Sequence, residues 1–105
     1  MPYIRFRAIE EEKITKVSQN LVDELQKLIG CQRDAFSLEA VHSTFIKDGQ
    51  IISGKPFVEV TWYDRGQDVQ NDFVRILADN LSKVDIKNIK VLFFPLDDSR
   101  YYKNL

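Results

Sequence analysis

The sequence predicts an α/β fold of the two-layer α+β kind, a four-stranded mixed sheet with two helices on one face, in a single domain spanning residues 1–105. Three observations predict it. Two stretches alternate apolar and polar residues with a period of two, one opening the chain and one at Phe57–Tyr63. Each leads into a segment whose apolar residues recur at helical spacing. Each helical segment then leads into another β-rich run, so the order strand, helix, strand occurs twice, with similar lengths and no residue-level repeat.

The first strand is read as Met1–Ala8, with Pro2, Ile4, Phe6 and Ala8 on one side and Tyr3, Arg5 and Arg7 on the other. Glu10, Glu11 and Glu12 suit the positive end of a helix. Ile14, Val17, Leu21, Leu25 and Leu28 then form a stripe widened by Val22 and Ile29, and Gly30 stands where a left-handed cap is needed. These place the first helix at about 10–29. Residues 31–35 form a polar connector, and Phe36–Ile46 reads as a second strand. Lys47-Asp48-Gly49-Gln50 is a hairpin signal, with Ile51 and Ile52 pairing back briefly. After the break at 53–56, Phe57–Tyr63 is a strand with Val58, Val60 and Trp62 on one face. Asp64-Arg65-Gly66 turns the chain into a second helix, with Asp64 near the cap and the stripe Val69, Phe73, Ile76, Leu77, Leu81, Val84. The last strand is Ile89–Leu96, with Pro95 at its end or on an edge. The tail, residues 97–105, is expected to dock on a neighbour or stay loose, with Tyr101 and Tyr102 packing between subunits.

Composition excludes several classes. With 44% hydrophobic and 30% charged residues the chain is an ordinary globular protein, and a formal net charge of −1 leaves no broad basic field for nucleic acid or an anionic membrane. No apolar run reaches the roughly 20 residues that span a bilayer. One cysteine and no secretory leader make the cytoplasm the simplest expected address. A single histidine, His42, gives no metal set, and no cofactor is expected. His42 is read as a strand residue with local hydrogen bonds, and Cys31, at a helix C-terminus, as a poor thiolate.

The sheet face turned away from the helices is the informative one. It is expected to carry Tyr3, Arg5, Arg7, Phe57, Glu59, Thr61 and Tyr63. Such a face is either open to water or a subunit interface, and its mixture of aromatic and arginine side chains favours the interface. Arg5 or Arg7 is expected to pair with Glu59 or Glu39. Pro2 raises a separate question. If Met1 is removed, as it normally is before proline, Pro2 presents a secondary amine that can act as a base. With Met1 attached, the same nitrogen is an amide whose lone pair is tied up in resonance.

The Met-Pro start, the alternating Pro2-Tyr3-Ile4-Arg5-Phe6 strand and the doubled strand-helix-strand pattern resemble the tautomerase superfamily, which includes macrophage migration inhibitory factor and oxalocrotonate tautomerase. The strings MPYIRFRAIE, FSLEAVHSTFIKDG and PFVEVTWYDRGQ are similar to a bacterial family of unknown function within it. The resemblance implies a homotrimer whose sheets surround a channel, with the amino-terminal proline in a pocket between subunits. It implies a tautomerase or isomerase moving a proton on a small carboxylated substrate, with Pro2 as general base. The better-known relatives carry a lysine just after the glycine that ends the first helix, where this chain has Cys31, and an arginine where it has Glu12. Arg5, Arg7, Arg33 and Arg65 therefore remain as candidate carboxylate binders, none by motif. The alternative is a non-catalytic oligomeric module that keeps the fold for binding or assembly.

Overall fold

Alternation along β1 (Tyr3–Arg7) turns Ile4 and Phe6 fully into the core and leaves Tyr3, Arg5 and Arg7 half-buried on the other face. The computed structural model describes all 105 residues. α1 (Glu11–Ile29) follows and ends at Gly30, whose φ of 78° provides the left-handed cap. A single 3-10 turn at Arg33–Ala35 then leads into β2 (Ser37–Val41), which pairs with β1 in parallel. β3 (Phe45–Lys47) and β4 (Gln50–Ile52) make a separate antiparallel hairpin. The second unit repeats the first: β5 (Phe57–Trp62), α2 (Gln67–Ser82), and β6 (Lys90–Pro95) parallel to β5. The central pair, β1 and β5, runs antiparallel, so the main sheet is mixed, in the order β2-β1-β5-β6.

Both helices lie on one face. The core joins Ile4 and Phe6 of β1, Val58, Val60 and Trp62 of β5, the α1 stripe Ile14, Val17, Leu21 and Leu25, and Phe73, Leu77 and Leu81 of α2. Trp62, Phe73 and Phe93 pack with ring centroids 4.9–5.5 Å apart, which fixes α2 against β5 and β6. One polar group interrupts this core. Asn80 is fully buried between the helices, where it accepts a bond from Asn20 at 2.8 Å and donates to Glu24 at 3.0 Å and to the Ile76 carbonyl at 2.9 Å. No helix is long and apolar enough to cross a membrane.

The structure corrects the sequence reading in two places, the length of the second strand and the end of the second helix. The expected strand Phe36–Ile46 is two strands, because its partner stops: Ala8 turns to a φ of 59°, β1 ends at Arg7, and β2 ends opposite it at Val41. Freed of that ladder, Phe45–Lys47 pairs across Asp48 and Gly49, whose φ values of 50° and 76° are those of a two-residue hairpin turn. Asp64 does stand near the cap of α2, as expected: the cap itself is Gly66, and Asp64 accepts the Gly66 N–H at 2.8 Å, bending the chain just ahead of the helix. Val84 lies beyond the end of α2, where it packs against the core from the connector. The tail lies against its own chain. The Leu96 N–H donates to the Trp62 carbonyl at 2.7 Å, and the rings of Tyr101 and Tyr63 sit 6.3 Å apart, leaving Tyr102 exposed.

Candidate active site at the amino terminus

The register of the sheet arranges its uncovered face in three rows. Ser37, Tyr3, Thr61 and Phe94 form the first, Glu39, Arg5, Glu59 and Leu92 the second, and Val41, Arg7, Phe57 and Lys90 the third. The middle row alternates in charge and closes on Glu59. Arg7 donates from Nε to the Glu59 carboxylate at 2.8 Å and Arg5 approaches it at 3.8 Å. Arg5 also donates to the Thr61 hydroxyl at 3.1 Å and lies over the Tyr3 ring at 5.2 Å. The expected pairing thus forms with Glu59 rather than Glu39, and both arginines are committed to the sheet.

Arg33 is committed too. It pairs with Asp23 at 2.5 Å and donates to the Gln19 carbonyl at 3.3 Å, which ties the connector to α1. Arg65 is placed differently. One amine donates to the Tyr63 carbonyl at 2.6 Å and the guanidinium stacks over Trp62 at 5.6 Å, with no carboxylate partner. That position brings its charge near the amino terminus, where it helps to disfavour the ammonium form.

Pro2 is fully buried at the head of β1, and its carbonyl accepts the Ser37 N–H at 3.1 Å, so the start of the chain is pinned between β1 and β2. Met1 and Tyr3, on either side of it, line a cleft of about 740 Å³. The turn before β2 supplies Gln32, Asp34 and Ala35, and the returning tail supplies Tyr101 and Lys103. The amine at this terminus is held below its ordinary value of 8.0. Burial is the largest cause; the Cys31 sulfur opposes it, Arg65 and Lys103 reinforce it, and Asp34 opposes it.

Of the residues singled out from the sequence, the structure therefore brings Pro2 and Arg65 to one end of the sheet and leaves Arg5, Arg7 and Arg33 in ion pairs elsewhere. Lys103 was missed. It stands in a polar tail without periodicity, and only the docking of Tyr101 on Tyr63 carries it to the amino terminus. Cys31, half-buried after Gly30, is a neighbour of this site. His42 lies beyond the end of β2, exposed, with its Nε2 3.4 Å from Glu11. A group in this arrangement that presents a free secondary amine has the means to exchange a proton with a bound acid. The cations that could hold the acid's carboxylate are Arg65 and Lys103.

Comparison with known proteins identifies the family and the fold. No curated protein sequence matches the chain. Two solved bacterial structures share its fold along nearly its whole length. A domain of unknown function from Sebaldella termitidis is 34% identical with a TM-score of 0.90, covering 99% of this chain and 96% of that one. A protein of unknown function from Vibrio cholerae is 28% identical with a TM-score of 0.86, covering 98% and 84%. A macrophage migration inhibitory factor-like protein from Entamoeba histolytica, 16% identical, superposes with a TM-score of 0.73 over 98% of this chain and 95% of that one, which shows a common fold. The family described as a domain of unknown function, DUF1904, matches residues 1–105, and the chain belongs to that family, built on the fold of the tautomerase superfamily.

Proposed function

We propose that this chain is a tautomerase-like protein that shifts a proton on a small carboxylated substrate, with the Pro2 nitrogen as general base once Met1 is removed. The observation that carries the reading is the setting of the amino terminus. At the chain's amine, which Met1 carries here, burial first and then the charges of Arg65 and Lys103 disfavour the ammonium, and a Pro2 amine at the same end would meet the same influences toward its free-base form. The proton balance is closed within the site. The Pro2 nitrogen takes the proton of an enol hydroxyl, electron density moves through the enolate, and the resulting ammonium returns a proton to carbon, giving the keto acid. Arg65 and Lys103 hold the carboxylate and offset the enolate's negative charge as it develops. Met1 lines the cleft, and the proposal requires that its removal open the cleft to the Pro2 nitrogen.

The working form in this proposal is a cytoplasmic homotrimer. Its support is apolar surface that a single chain leaves uncovered: Leu92 and Phe94 on the open sheet face, and Ile46, Ile51 and Ile52 on the β3–β4 hairpin. Sedimentation should give a trimer at micromolar concentration, and a monomer would remove the shared pocket. The chemical test uses protein shown by intact mass to begin at Pro2. It should convert phenylenolpyruvate to its keto form, and Pro2→Ala should lose up to about 10²–10⁴-fold, the range for a general base, less what its primary amine retains. Equal rates for the Met1-retaining protein would exclude Pro2 as the base. The second reading, a non-catalytic oligomeric module, is favoured by the residues Glu12 and Cys31, which the resemblance to the tautomerase superfamily sets where its better-known members carry cations. Inactivity of the processed protein on a panel of enol and keto acids would support it.

A further inference from the structure

We propose that the opposite end of the uncovered sheet face holds a second binding site, a groove for a small aromatic acid between β5–β6 and the β3–β4 hairpin. The third row of the sheet supplies its floor. Arg7, Phe57 and Lys90 are register partners on adjacent strands, so a phenyl ring lies between two cations on one face. Lys55 and Phe45 close the sides of a cavity of about 480 Å³, a volume that suits a small organic molecule.

Two features make this a built groove. The first is the seat of Phe45. Its ring lies so close over the α-carbon of Gly54 that any β-carbon there would overlap it. Glycine at this position lets the hairpin press an aromatic wall against the end of the sheet. The second is the corner that holds the lysines. The Lys90 N–H donates to the Pro56 carbonyl at 3.1 Å, which fixes the start of β6 beside the residue that follows Lys55. The backbones that carry the two lysines are thereby kept at one groove.

The charge in the groove is unbalanced. Its one carboxylate, Glu59, is taken by Arg7 at 2.8 Å, which leaves Lys55 and Lys90 without a counter-charge among the lining residues. Two uncompensated cations beside two phenyl rings match a ligand with carboxylates on a flat apolar skeleton. The carboxylates meet the lysines and the ring stacks on Phe45 or Phe57. An inorganic anion would use the lysines alone and leave the aromatic walls unpaired. The groove is built by residues of one chain, so the inference is independent of the amino-terminal chemistry; it requires this end of the sheet face to stay open in the proposed trimer, and the titration is therefore run on the assembly that sedimentation identifies.

The test is an NMR titration of the full chain with phthalate, following backbone amides. The expected result is saturable shifts at Gly54, Lys55, Phe57 and Lys90. Both lysines are exposed, so Lys55→Ala and Lys90→Ala should keep the wild-type melting temperature while each weakens binding by roughly tenfold, the value of one charge-assisted contact. Lys55→Glu should abolish saturation. Cyclohexane-1,2-dicarboxylate, with the same charges and no aromatic ring, should bind more weakly. Any of three outcomes overturns the proposal: no saturable shift, equal binding of inorganic phosphate at the same amides, or shifts centred on Tyr3, Ser37 and Tyr101.

Discussion

Replacing Glu59 by glutamine tests how the uncovered sheet face is held. The Glu59 side chain is only 16% exposed and lies 2.8 Å from Arg7 and 3.8 Å from Arg5, whose side chains are 36% and 27% exposed. At an effective dielectric of 20, a pair at 4 Å attracts by about 4 kcal/mol, and solvent around the two arginines and the desolvation of the carboxylate offset most of this. Glu59→Gln keeps the shape and an acceptor oxygen but drops the charge, so the expected loss is about 1–2 kcal/mol. For a domain of this size that lowers the melting temperature by roughly 5–10 °C. Added salt should narrow the gap only partly, because the carboxylate is mostly shielded from solvent. A double-mutant cycle separates the two partners. Glu59 should couple more strongly to Arg7 than to Arg5, in line with the shorter contact. An unchanged melting temperature, or stronger coupling to Arg5, would refute this account of the face.

Three further outcomes follow from the same geometry. Asn80→Ala deletes a fully buried side chain that makes three hydrogen bonds between and within the helices, and it should cost about 1–3 kcal/mol in denaturant unfolding. Gly54→Ala forces a β-carbon into the Phe45 ring, so it should destabilise by about 1–3 kcal/mol and shift the hairpin amides, whereas Gly49→Ala, with open space around it, should disturb only the turn. The amino-terminal amine should titrate below 8.0 by NMR. Because the folded state disfavours the ammonium, the unfolded chain holds more protons between the folded pKa and 8.0, so stability should rise with pH across that window and level off above it. A titration at or above 8.0 would remove the main support for Pro2 as a base.

Much of the fold was legible because local signals agreed with the tertiary result. Ile4 and Phe6, and Val58, Val60 and Trp62, alternate because one face of each strand is buried, and all five are fully or almost fully buried. Gly30 and Asp48–Gly49 announce backbone conformations that few other residues adopt. What the sequence hid depends on distant partners. Phe36–Ile46 reads as one strand on its own apolar content, yet its length is set by where β1 ends, at Ala8. The pairing of Arg7 with Glu59 was foreseeable from opposite charges on one face, but the choice of Glu59 over Glu39 follows the strand order: β2 and β5 both flank β1, yet β2 is the edge of the sheet and leaves Glu39 exposed, whereas β5 is an inner strand and half-buries Glu59. Lys103 carries no local signal at all. Its position is decided by Tyr101, which finds Tyr63 only after β5 and β6 are in place.

The same geometry explains why the arginines of β1 are poor candidates for substrate binding even though they share a strand with Pro2. At about 3.3 Å per residue, Arg5 and Arg7 lie roughly 10 and 16 Å along β1 from Pro2. Their guanidinium groups face the uncovered side of the sheet and are drawn to Glu59. An acid bound beside the Pro2 nitrogen would have to break those contacts to reach them, at a cost close to what it gained. Arg65 and Lys103 carry no such commitment to a carboxylate, and both already act on the charge at the amino terminus. The face is thus divided along β1: the proposed proton chemistry at the Pro2 end, a neutralised centre at Arg5 and Glu59, and an unneutralised groove at Lys55 and Lys90. This division makes the two sites separable. Arg65→Gln should raise the substrate concentration needed at the amino terminus and leave phthalate binding unchanged, and Lys90→Ala should do the reverse. If either variant altered both, the neutral centre would not insulate the two ends, and the assignment of separate sites would fail.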